Sequence, residues 1–274
     1  MGVLRVEGAR LWFQQAGAGA PLVLLHGLGA SSADWEYQVP ELARRFQVIV
    51  PDFRGHGASD RAGEYSVPRF AADTWQLLDH LKLRAPVLVG HSMGGAVAMQ
   101  MALDRPGEVP RLVLANTLPS FLADTAGKRA MLWLRLLLMG LLGPRRMSAI
   151  MTRRLYPHPG QARLRARVAR RNARNDRSAY IASIRALTRW SVRDRLGELA
   201  MPVLVLASEH DYFEGDEVDR FVAALPDGRL RRFAGARHGL PLERPGAFNR
   251  AVLEFLGAPA APRAASAPAR AAGS

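Results

Sequence analysis

Cysteine is absent from this chain of 274 residues, which excludes disulfides and suits a reducing compartment. Two other signatures are missing. No His-Glu-x-x-His helix occurs, and no glycine-rich loop ends in Lys-Ser or Lys-Thr, so neither a zinc site nor a phosphate-cradling loop is indicated. No metal and no cofactor is expected. Residues 1–13 lack the charged start and apolar run of a secretory signal and read as two strands of a hairpin around Gly8. The cytoplasm is therefore the expected location. The apolar stretch 130–142 is too short, and too interrupted by Arg135, to span a bilayer. Hydrophobic residues make up 49% of the chain, enough at this length to bury one large core.

The most informative segment is Val87-Leu88-Val89-Gly90-His91-Ser92-Met93-Gly94-Gly95. A serine stands between two glycines, directly after a short apolar strand. A serine on a sharp strand-to-helix turn has strained backbone angles, and only glycines two residues to either side let strand and helix pass so closely. The turn pushes the hydroxyl into the open. The helix predicted from Gly94 to Leu103 aims its free amides and positive dipole end at the same place, which suits a transient oxyanion.

Further blocks surround it. Pro21-Leu22-Val23-Leu24-Leu25 reads as a buried strand ending in His26-Gly27-Leu28-Gly29, a bend whose amides can face a ligand. Val48-Ile49-Val50 runs into 51–59, whose polar side chains read as loop braces. Pro202-Val203-Leu204-Val205-Leu206 precedes an acidic loop containing Asp211, and a last strand over 229–233 precedes His238. Serine, acid and histidine thus follow one another, each just past the carboxyl end of a strand, where open parallel sheets place ligand chemistry.

Over residues 3–257 the chain resembles the α/β-hydrolase fold family, in the group that carries a helical cap. The resemblance rests on four blocks in order: His26-Gly27-Leu28-Gly29, 52–59, the Ser92 elbow, and Gly235-Ala236-Arg237-His238 with Leu242-Glu243-Arg244-Pro245 behind it. It implies an α/β fold with a mostly parallel sheet flanked by helices and a cap after the sixth strand. It also implies Ser92 as nucleophile, Asp211 as orienting acid and His238 as general base, with the Leu28 and Met93 amides as oxyanion donors. The implied domains are a catalytic core over 1–117 and 196–257 and a cap over 118–195. Residues 258–274, rich in Ala, Pro, Ser and Arg, are predicted to be a disordered tail.

The roles follow from chemistry as well. A serine hydroxyl needs a base within reach to take its proton, and a carboxylate on the far imidazole nitrogen fixes the tautomer and steadies the imidazolium. Glu209, Asp211, Glu214, Asp216 and Glu217 all crowd the acidic loop, and Asp211 falls at the end of its first turn. The other site for the acid in this fold, after the strand Leu112-Val113-Leu114, reads Ala115-Asn116-Thr117 and has no carboxylate. His26, Gly27, His91 and Trp133 are the candidate substrate contacts, with loop bracing the competing role for His26 and His91.

Between 118 and 195, seventeen Arg and one Lys face three Asp, a net charge of +15 in a chain of +14. Basicity therefore belongs to this interval, and the remainder is close to neutral. Its arginine series from Arg163 to Arg177 reads either as a solvated face or as attraction for an anionic substrate, carrier or membrane surface. Nucleic acid is not expected, because few aromatics lie among the arginines to stack bases. The apolar stretch 130–142 reads as a helix over a pocket mouth. The expected activity is serine hydrolysis of an ester or lactone of a fairly apolar, small-molecule acid. The alternatives are an acyl thioesterase or acyltransferase on an anionic carrier, or a non-catalytic binding protein of the same fold.

Overall fold

The computed structural model describes residues 1–257; the tail predicted over 258–274 lies outside them. The chain opens with strands β1 (Gly2–Val6) and β2 (Ala9–Ala16), paired antiparallel. Gly8 turns the hairpin at a φ of 74°, a left-handed angle that glycine adopts without a Cβ penalty. Then come β3 (Ala20–Leu25), β4 (Phe46–Pro51), β5 (Val87–His91), β6 (Leu112–Ala115), β7 (Val203–His210) and β8 (Gly228–Arg237). The sheet runs β1-β2-β4-β3-β5-β6-β7-β8, and all pairings from β4 onward are parallel.

Each central strand is a continuous apolar run because both of its faces are covered. Helices α1 (Val39–Leu42), α2 (Val67–His80), α3 (Met93–Asp104), α7 (Gly215–Ala223), α8 (Leu240–Glu243) and α9 (Pro245–Gly257) supply most of the cover. Alternate residues divide as strand geometry requires. Val23, Leu88 and Leu114 pack toward α2 and α3; Leu24, Val89 and Val113 pack toward α1 and α9.

Between β6 and β7 the alternation is interrupted by α4 (Ala126–Leu155), α5 (Ala162–Asn172) and α6 (Arg177–Leu187). A bridge between Ser120 and Ser191 closes the neck of this insertion. Helix α4 is bent at Gly143 (φ 67°, ψ 173°), followed by Pro144, which has no amide to continue the ladder. Four of the seven arginines from 163 to 177 are engaged with other parts of the protein rather than forming a free face. Arg167 pairs with Glu36 at 3.1 Å, and Arg171 pairs with Asp34 at 3.0 Å and Glu36 at 3.2 Å, clamping α5 to the body. Arg165 and Arg177 donate to the carbonyls of Tyr156 and Gly140.

Candidate active site

Ser92 links β5 to α3 with φ 54° and ψ −120°, and the flanking glycines explain why the chain tolerates it. A Cβ on Gly90 would lie 2.3 Å from the Gly94 carbonyl oxygen, and one on Gly94 would lie 2.1 Å from that of Leu25. Gly95 is equally constrained: a Cβ there would meet the Thr117 side chain at 2.5 Å. Thr117 in turn donates its hydroxyl to the Ser92 carbonyl at 2.9 Å.

The three predicted polar residues meet at this turn. His238 Nε2 lies 3.0 Å from Ser92 Oγ, and His238 Nδ1 lies 2.6 Å from Asp211 Oδ1. An ionised carboxylate only accepts, so Nδ1 carries the proton and Nε2 is left to accept from the serine hydroxyl. The Tyr212 amide also donates to Asp211 Oδ1, at 2.6 Å, and Asn116 Nδ2 donates to Oδ2. Burial works to raise the Asp211 pKa; the His238 ring and these two donors outweigh it, so the carboxyl lies below its ordinary range. The other acids of the loop are elsewhere: Glu209 accepts from the Gly235 amide and Asp216 pairs with Arg220.

Met93 is the first residue of α3, so its amide has no acceptor within the helix. Leu28 sits in the bend after β3, and its side chain packs against the cluster of Met139, Met147 and Tyr180 from the insertion. Gly27 passes close to the serine, since a Cβ on it would lie 3.3 Å from Ser92 Cβ.

Three candidate substrate contacts are corrected. His26 is spent on the backbone: Nδ1 donates to the Gly27 carbonyl at 2.8 Å, and Nε2 accepts from the Phe53 amide at 3.1 Å. His91 donates from Nε2 to the carbonyl of His238 at 2.7 Å and so positions the base. Burial holds both rings neutral, with pKa values down to about 4, and for His91 the neighbouring His238 adds to the effect. Trp133 is 72% exposed on α4 and faces solvent.

Beside His238 and Asp211 lies a cleft of about 280 Å³, lined also by Arg154, Leu155, Pro157, His210, Tyr212 and Arg237. Phe213 meets the His238 ring edge-on at a centroid distance of 5.8 Å, and Phe121 stands behind it. Among the described residues no cluster of three or more His, Asp or Glu side chains converges as a metal would require. Asn116 was missed by sequence reasoning as a functional residue. Its only signal was its location, since it occupies the alternative acid position, and at φ 48° it turns its amide to Asp211, just past the end of β7.

The sequence profile of the alpha/beta hydrolase fold matches residues 20–245. The chain belongs to the α/β-hydrolase fold family. Among curated relatives, the putative carbamate hydrolase RutD of Caulobacter vibrioides is 31% identical over 248 residues, covering 87% of this chain and 91% of RutD. A hydrolase from Pseudomonas aeruginosa PA01 superposes with a TM-score of 0.83 at 30% identity, over 94% of this chain and 98% of its own. A thermophilic esterase from Thermogutta terrifontis superposes at 0.81 with 26% identity, over 90% and 93%. Some curated relatives are 44% identical over 112 residues, which is 40% of this chain but spans only about a third of their length, 33%.

Proposed function

We propose that the protein hydrolyses a carboxylic ester or lactone of a fairly apolar acid through an acyl-enzyme on Ser92. The observation that carries this reading is the unbroken relay from Ser92 Oγ through His238 to Asp211, at 3.0 and 2.6 Å. Esterase and hydrolase activity among structural relatives at 26% and 30% identity adds support.

In the first half-reaction Ser92 Oγ attacks the carbonyl carbon as His238 Nε2 takes the hydroxyl proton. The ring becomes imidazolium, which the low-pKa Asp211 carboxylate stabilises. Charge gathers on the former carbonyl oxygen, where the amides of Leu28 and Met93 would donate; a single such donor is worth about 10²–10³ in rate. The C–O bond then breaks, and the alkoxide takes the proton from His238. In the second half water attacks the acyl carbon as the same nitrogen takes one of its protons; the bond from that carbon to Ser92 Oγ then breaks, the serine oxygen takes the proton back from His238, and the acid leaves. Phe213, edge-on to His238 and backed by Phe121, gives the acyl chain an apolar wall.

A second reading, an acyl thioester or acyl group on an anionic carrier, is favoured by Arg154 and Arg237 on the cleft. Neither forms an ion pair with another described residue. The two are separated by comparing para-nitrophenyl esters of graded chain length with acyl thioesters of an anionic thiol, at low and high salt. The ester reading expects kcat/KM to rise with acyl length and to ignore salt. A strict requirement for the anionic thioester, weakened by salt, would replace it.

A further inference from the structure

Ten large hydrophobic side chains are exposed among the described residues, and six of them lie on α4. Trp133 and Leu141 are each 72% exposed, Met131 is 71%, Leu137 is 56% and Leu134 is 55%. At the helical repeat, Trp133, Leu134, Leu137 and Leu141 fall within an arc of about 100°. Solvent-facing apolar stripes of this kind mark interaction sites rather than ordinary surface.

The opposite side of the same arm is already satisfied. Met139 packs with Met147 and Tyr180, and Arg135 donates twice to the Tyr180 hydroxyl, at 3.0 and 2.5 Å. The helix cannot roll its outer stripe inward without breaking those contacts, so the stripe is not waiting for the body of its own chain. Exposed Arg129, Arg145 and Arg146 flank it and form no ion pair among the described residues. The whole insertion carries +15.

We infer that the outer face of α4 docks the protein on an anionic lipid surface. Aromatic and leucine side chains on one face with arginines at the borders are the composition of a helix lying in the interfacial plane. It does not cross: no helix among the described residues is long and apolar enough to do so. A second copy of the chain fits the face poorly, because a two-fold contact would bring two insertions of +15 together. Phosphate headgroups supply the opposite charge while the acyl boundary takes the apolar side chains.

The test is vesicle flotation of the full chain with phosphatidylcholine alone and with added phosphatidylglycerol. The protein is expected to float with the anionic vesicles, less so as salt rises, and Trp133 emission is expected to shift to shorter wavelength; Trp133→Phe removes the shift. A triple variant, Trp133→Ser with Leu137→Ser and Leu141→Ser, should lower partitioning about a hundredfold or more. Arg145→Gln and Arg146→Gln should each lower it about fivefold. The triple variant should keep its melting temperature and its turnover of a soluble short-chain ester, while Ser92→Ala should float like the parent, so failure of the hydrolase reading leaves this result legible. Three outcomes overturn the inference: parent protein left behind by anionic vesicles, equal partitioning into neutral ones, or a dimer that the triple variant abolishes.

Discussion

In the body, each central strand hides side chains on both faces and even a guanidinium is enclosed: Arg54 and Asp73 pair at 2.6 Å with side chains 1% and 2% exposed. In the insertion, leucines and a tryptophan stand in solvent and the net charge is +15, against a near-neutral remainder. The contrast separates two jobs. The body holds a strained serine and a three-member relay still, which requires dense packing and paired charge. The insertion, clamped at α5 by Arg167 and Arg171, displays an apolar face that its own chain leaves largely in solvent.

The sharpest way to break this division is at the relay. His238→Ala is expected to lower kcat by about 10⁶, and Asp211→Asn by about 10⁴ because the imidazole loses its required tautomer. Asp216→Asn, five residues away in an exposed pair with Arg220, should leave turnover unchanged. Steady-state kinetics on one soluble ester decides all three.

Next in size is the buried ion pair. Asp73 accepts from Arg54 and Arg69; Arg69 also pairs with Glu7, but Asp73→Ala leaves the buried Arg54 guanidinium without a counter-ion and should cost about 3–5 kcal/mol in urea unfolding. Trp133→Ser on α4 should stay within about 0.5 kcal/mol of the parent. Equal losses at the two positions would erase the distinction between body and insertion.

Acid offers a third way. Burial lowers the pKa of His26 and His91 to about 4 and that of His56 to about 3, whereas an unfolded histidine titrates near about 6.5. Between those values the unfolded chain binds more protons, so stability is full above about pH 6.5 and falls as pH drops toward 4. The melting temperature should be lower by about 10 °C or more at pH 4.5 than at pH 7, with loss of the β-sheet signal rather than of the insertion's helices alone.

The smallest effect is the most local. Asn116→Ala removes one donor to the Asp211 carboxylate, a bond to a charged group worth about 1.5–3 kcal/mol. A ten- to hundredfold fall in kcat/KM is expected, with the acid limb of the pH profile moved upward because the carboxylate is less well held.

Much of the body was legible in the sequence because its requirements are steric and local. Gly90 and Gly94 leave room for one kind of turn, and continuous apolar runs such as Leu22 to Leu25 belong to strands covered on both sides. Asn116 was not legible as a partner of Asp211. Their meeting depends on β6 lying beside β7, with Ala115 opposite Leu206, and no local pattern records that adjacency. Which side of 130–142 faces the body was hidden for a different reason. A segment that is apolar on nearly every side carries no periodic signal of which side faces the body; Met139 and the Arg135–Tyr180 contact decide it.

The most direct measurement of the central claim is intact-mass analysis after treatment with a fluorophosphonate. The account predicts one stoichiometric adduct on the parent protein, on Ser92, and none on Ser92→Ala or after prior incubation with an acyl substrate that accumulates as an ester on the same oxygen. A well-folded parent protein that stays unlabelled, or an adduct that survives Ser92→Ala, would contradict it.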